Sequence, residues 1–158
     1  MKKEELLKRV APCSLMCHTC AAYEDGVICN SSRQLLKYME GMSVFFQQHA
    51  AHILDKHQVL EDELNKYAQG KCSGCRDDRD CACSISGCYI PECTKRHQVD
   101  FCGECEVFPC NGIREVFEEE VYAQWLNGNL EIKDKGIELY WENNKEKPHY
   151  ISYVKRDE

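Results

Sequence analysis

The sequence predicts a mostly α-helical protein with little β structure, in which an irregular, cysteine-rich loop region of zinc-knuckle or ribbon type is stabilised by metal. Three observations predict it. Apolar residues recur at helical spacing on both flanks of the chain. Thirteen cysteines occur in 158 residues, nine of them between Cys72 and Cys110. That same stretch, residues 71–112, carries four glycines, two prolines and few large apolar groups. We read the chain as a single domain, 1–158, with four sub-regions: an N-terminal cysteine cluster (1–30), a helical segment (31–70), the cysteine-rich metal-binding region (71–112), and C-terminal helices with a tail (113–158).

Leu6, Leu7 and Val10 share one face of a short first helix, which Pro12 ends, so the first cysteine cluster falls on a loop. Ser31 and Ser32 are the expected N-caps of a helix carrying Leu35, Leu36 and Met39 and closed by Gly41. Val44, Phe45, Phe46, Ala50, Ile53 and Leu54 predict the next helix. Leu60, Leu64 and Tyr67 predict another that stops at Gly70, the whole making a helical hairpin or small bundle. Residues 71–112 require no regular element longer than a turn. Helical patterning resumes with Ile113, Val116, Phe117, Val121 and Trp125 and is expected to end at Asn127-Gly128. A last helix carries Leu130, Ile132, Ile137, Tyr140 and Trp141 up to Pro148, and the alternation at Tyr150, Ile151, Tyr153 and Val154 predicts a short strand or an extended arm.

Compartment decides what the thiols are for. Glu4, Glu5, Lys8 and Arg9 interrupt any apolar run of signal-peptide length, and a mean hydropathy of −0.57 with no long apolar stretch excludes a helical membrane span. A cytoplasmic protein is expected. There, cysteine clusters stay reduced and bind metal or act chemically more often than they pair. Thirteen is also odd, so full internal pairing would leave one thiol over.

The formal charge is −7, from 20 basic and 27 acidic side chains. Lys71, Arg76, Arg79, Lys95 and Arg96 are interleaved with Asp77, Asp78, Asp80 and Glu92, so no basic face for phosphates is expected and nucleic acid is not the expected partner. A protein partner remains open. The apolar fraction of 43% counts every cysteine, which leaves hydrophobic burial thin. A structural zinc supplies on the order of 10 kcal/mol toward folding, enough to make up the difference.

The ligand candidates follow from spacing. Cys72-x2-Cys75 and Cys102-x2-Cys105 are knuckles that put two sulfurs on one side of a tight turn, as a tetrahedral zinc requires at Zn–S distances of about 2.3 Å. Between and after them stand Cys81, Cys83, Cys88, Cys93 and Cys110. Nine thiols suit two sites with one to spare. One expected division puts Cys72, Cys75, Cys102 and Cys105 on one ion and draws the ligands of a second from Cys83, Cys88, Cys93 and Cys110. Cys81 or Cys83 is then the spare. Cys13-x3-Cys17-x2-Cys20, with Cys29 beyond, makes a third closed site, for two to three Zn2+ ions in all. C-x3-C-x2-C is also the spacing by which radical S-adenosylmethionine enzymes hold an iron-sulfur cluster, but the chain has neither the length nor the alternating strands of their barrel. An iron-sulfur redox or thiol-sensing protein is the alternative, since the same thiolates suit iron. A zinc hydrolase using His49, His52 and His57 is weaker, because no H-E-x-x-H pattern is present. No catalytic residue is assigned.

Residues 11–20, Ala-Pro-Cys-Ser-Leu-Met-Cys-His-Thr-Cys, are followed by Ala22-Tyr23, Cys72-Ser73-Gly74-Cys75-Arg76, Cys88-Tyr89-Ile90-Pro91-Glu92-Cys93, and Cys102-Gly103-Glu104-Cys105 running on to Phe108-Pro109-Cys110. In that order they resemble the bacterial and archaeal family catalogued as domain of unknown function 3795. Ile132 to Ile137 and Trp141 look like the family's closing helix. The resemblance implies a small cytoplasmic zinc-binding protein with no assigned reaction. Ser14 stands where the family usually has glycine, and Cys29, Cys81 and Cys83 have no clear family counterpart.

Overall fold

Helix α1 (Lys3–Arg9) forms at its expected place, with Glu4 and Glu5 in its first turn and Lys8 and Arg9 in its last, the order that suits the helix dipole. The computed structural model describes residues 1–77, 83 and 85–154. Val10 pairs antiparallel with Met16, which closes the loop carrying Pro12, Cys13 and Ser14. Among the described residues β structure is limited to such isolated bridges.

Three helices follow: α2 (Val27–Met39), α3 (Met42–His49) and α4 (Leu54–Ala68). The expected start of α2 at Ser31 or Ser32 is corrected. The helix begins at Val27 with Gly26, five residues before Ser31, as N-cap, and Ser32 is buried inside it. Gly26 is required there because a β-carbon would come within 3.0 Å of the His18 carbonyl oxygen and 3.1 Å of that of Tyr23. Leu54 opens α4 rather than ending the helix before it. The two ends of this unit are clamped together by a parallel bridge between Tyr23 and Cys72, with Cys72 N–H donating to Ala22 O (3.0 Å) and Glu24 N–H to Cys72 O (2.9 Å).

The cysteine-rich region does contain a helix, against expectation: α5 (Ile90–His97). Pro91 lies in its first turn, where a missing N–H costs nothing, and Gln98 ends it in a left-handed conformation at φ 56°. Helix α6 (Glu119–Lys135) passes through Asn127-Gly128 instead of stopping there. Gly128 is buried by close packing, and Asn129 turns its amide back onto the Trp125 carbonyl at 2.8 Å. The break comes at Gly136 (φ 81°), and α7 (Ile137–Asn144) follows as a separate helix. The tail makes a single 3-10 turn, Ile151–Tyr153, rather than the strand or extended arm its alternation predicts. Tyr150 and His149 take partners from the first cysteine loop, so no strand partner is used.

Two apolar clusters form the core. One joins Leu6, Val10, Met16 and Phe101 to Ile132, Ile137, Tyr140 and Trp141. The other surrounds Trp125 with Ala11, Cys13, Ile90, Ile113, Phe117 and Val121. Among the described residues neither draws on α2, α3 or α4, which leave Leu35, Tyr38, Phe45, Val59 and Leu60 exposed. No helix of the described residues is long and apolar enough to cross a membrane.

Candidate metal centre

The described cysteines fall into two groups and one outlier. Cys13, Cys17, Cys20, Cys72, Cys75, Cys83 and Cys88 line a cavity of about 530 Å³, together with Tyr23, Tyr67, Tyr150 and Tyr153. Cys93 and Cys102 lie within electrostatic reach of each other and of Cys105 and Cys110, and Cys102 also of Cys13. Cys29 stands apart on α2, its thiol donating to the Ala68 carbonyl at 3.4 Å. Cys81 lies outside the described residues. The Cys72 knuckle lines the same cavity as Cys13, Cys17 and Cys20, and Cys102 lies near Cys93, Cys105 and Cys110 as well as Cys13. No disulfide joins any two described cysteines. Among the described residues no group of three or more His, Cys, Asp or Glu side chains is arranged so as to hold a metal ion.

Local backbone explains the grouping. Cys17–Thr19 and Cys102–Glu104 are both 3-10 turns, and the cysteines that close them, Cys20 and Cys105, have nearly the same conformation (φ −77°, ψ 140° and φ −76°, ψ 139°). Side chains at i and i+3 eclipse in such a turn, so each pair of thiols projects from one side. Cys20 N–H donates to Cys17 O at 2.9 Å and Cys105 N–H to Cys102 O at 3.1 Å. Cys102 N–H reaches Pro12 O at 3.0 Å, which ties the second turn to the first cysteine loop. Asn129 on α6 accepts from Gly103 N–H at 2.9 Å from beneath.

Arg76 stitches the two groups. Its guanidinium donates to Leu7 O (2.6 Å) and Val10 O at the end of α1, and to Asp100 O (2.5 Å), with the Phe101 ring 4.8 Å away. Burial holds its pKa below the usual value, while the Cys17, Cys13 and Cys75 sulfurs act the other way. Burial drives the Cys13 thiol well above its ordinary range and the Cys102 thiol up to about 11. The indole N–H of Trp125 has no full hydrogen-bond partner, yet it faces the Cys102 sulfur and holds that thiol down against burial. Such an N–H is the donor a thiolate ligand takes.

The family of proteins of unknown function DUF3795 has a sequence model that matches residues 9–115. This chain belongs to the DUF3795 family. Comparisons with curated proteins and with solved structures gave no match. The matched stretch holds all thirteen cysteines of this DUF3795 protein, from Cys13 to Cys110. Trp125 and Asn129, which back the second group, lie beyond it, as do α6, α7 and the tail.

Ser14 adopts φ 66°, a left-handed conformation that favours glycine. Among the histidines, His18 accepts from Arg9 at 3.1 Å through Nδ1 and leans on Trp141, with burial and then Arg9 lowering its pKa. His49 and His52 are exposed, and His57 is buried on α4 against Phe46. His149 lines the thiol cavity.

Proposed function

We propose that this protein binds zinc through thiolates of both groups, and that the ions are structural, rigidifying the loops that carry the apolar helices α2 to α4 toward a protein partner. One observation carries the reading: the fold gathers eleven thiols, no two of them bridged, into a seven-thiol cavity and a four-thiol group around two matching 3-10 turns. The donor set fits zinc by chemistry, being soft sulfur with a buried indole N–H aimed at one member. Cys93, Cys102, Cys105 and Cys110 would hold one ion, and the cavity thiols would hold the rest. When bound, zinc neutralises thiolates that burial otherwise keeps protonated. The exposed Tyr38, Phe45, Val59 and Leu60 give the helical unit its contact surface.

A specific observation favours a second reading. Seven thiols, including the C-x3-C-x2-C run, around about 530 Å³ exceed what one tetrahedral ion needs, and an iron-sulfur cluster would use that room. Elemental analysis of protein purified without added metal distinguishes the two. Two or three zinc per chain in a colourless preparation is expected; iron with acid-labile sulfide selects the alternative, and stoichiometric absence of both metals overturns metal binding.

A further inference from the structure

His149 follows Pro148 and lines the thiol cavity together with Cys17 and Cys20. Its Nδ1 lies 2.7 Å from the carbonyl oxygen of Met16, the residue before Cys17. A carbonyl can only accept, so Nδ1 carries the proton of the ring, and in the neutral imidazole Nε2 is left with its lone pair. The bond to Met16 O is the ring's one hydrogen bond among the described residues. Next in sequence, the Tyr150 hydroxyl accepts from Ala21 N–H at 3.3 Å and sits 3.6 Å from Cys20 Sγ, which pins the strap on the far side of the same turn. The ring lines a cavity of thiols while one of its nitrogens is bonded to a backbone carbonyl, and a bond of that kind is how metal sites orient an imidazole ligand.

We infer that His149 is a nitrogen ligand of an ion bound by Cys17 and Cys20, delivered by a C-terminal strap that lies outside the family-matched stretch; this rests on the zinc-binding reading above. The shell is then mixed thiolate and imidazole, a set typical of zinc. His18, although inside the Cys17–Cys20 turn, does not compete, since its Nδ1 is taken by Arg9 and its ring lies on Trp141. The other histidines are not among the residues that line the cavity.

Zinc K-edge X-ray absorption on the full-length holo protein tests this. The wild type is expected to show the outer-shell scattering of an imidazole ring beside a sulfur shell. His149→Asn keeps an N–H to donate to Met16 O but has no second ring nitrogen. It is expected to lose that scattering and to hold the cavity zinc at least tenfold more weakly in a chelator competition, the low end of what even supporting residues contribute. A zinc shell of sulfur alone in the wild type, or imidazole scattering that survives in His149→Asn, overturns the assignment while leaving zinc binding intact. Failure to bind zinc at all overturns the reading beneath it instead. If His149→Asn does not fold, His18→Asn decides: retention of the imidazole signal supports His149, and its loss refutes it.

Discussion

Ser14 fills the space that Gly128 leaves open: a β-carbon on Gly128 would lie 2.4 Å from Ser14 Oγ and 2.9 Å from its Cβ. The pair locks the first cysteine loop onto the middle of α6. Ser14 pays with a left-handed backbone and gains a hydrogen bond from Asn129 Nδ2 (3.2 Å) at Oγ and one from the Tyr140 hydroxyl (2.6 Å) at its carbonyl.

Gly128→Ala should therefore destabilise the protein even though alanine is worth about 1 kcal/mol more than glycine in a helix. Overpacking at a buried site costs about 1–3 kcal/mol and must outweigh that gain. In the Ser14→Gly background the two closest contacts are gone and only the 3.1 Å approach to the Tyr140 hydroxyl remains, so the same substitution should cost markedly less. Thermal melting of the four combinations reads the coupling. Additive effects of the two substitutions would show that the contact carries no energy.

Arg76→Lys should be severe for a surface-looking exchange. The guanidinium serves three carbonyls, Leu7 O, Val10 O and Asp100 O, in directions that a single ammonium cannot match. Buried carbonyls left without a donor cost about 1–3 kcal/mol each when unmet. A loss of about 3 kcal/mol is expected, a fall of roughly 10 °C in melting midpoint for a chain of this length. A shift of a degree or two would mean that lysine or water replaces the contacts.

The helices legible in the sequence were those whose apolar periodicity is strong, such as Leu6 and Leu7 in α1 or Val121 and Trp125 in α6. Boundaries went astray where glycine acts through packing rather than turn formation. Gly26 starts α2 because three carbonyls crowd it, and Gly128 sits inside α6 because Ser14 needs the room. Helix α5 was hidden by Cys93 and Pro91, although a proline in a first helical turn is ordinary. The residue types of the candidate site were legible and their grouping was not. The parallel bridge at Tyr23 and Cys72, which sets the Cys72 knuckle beside Cys20, has no local signature.

The metal-free fold should weaken in alkali. In it the Cys102 thiol, pushed by burial to about 11, keeps its proton where the unfolded chain, with thiols near 9, has lost it. The unfolded state then binds fewer protons, so stability falls as pH rises through the interval from about 9 to about 11. Two pKa units correspond to about 3 kcal/mol. Denaturant titrations of chelated protein at pH 8 and pH 11 check this, with Cys102→Ala expected to flatten the difference. Equal slopes in both proteins would assign the alkaline loss to other groups.

Trp125→Phe separates packing from ligand support at the four-thiol group. Trp125 is fully buried between Phe108 and Tyr122, at ring distances of 4.9 and 5.3 Å, so phenylalanine leaves a small void that weakens metal-free and metal-bound states alike. That shared cost cancels in an affinity measurement. What phenylalanine removes from the bound state alone is the N–H facing the Cys102 sulfur, which favours the thiolate. Loss of a supporting donor of this kind lowers metal affinity about 10-fold or more. Zinc affinity of the four-thiol group, read by competition with a chromophoric chelator at fixed pH, should therefore fall by at least that factor in Trp125→Phe. The apparent affinity should also need a higher pH to recover, because Cys102 releases its proton less readily once the indole is gone. If the variant is merely less stable and binds zinc as the wild type does, Trp125 is a core residue and nothing more.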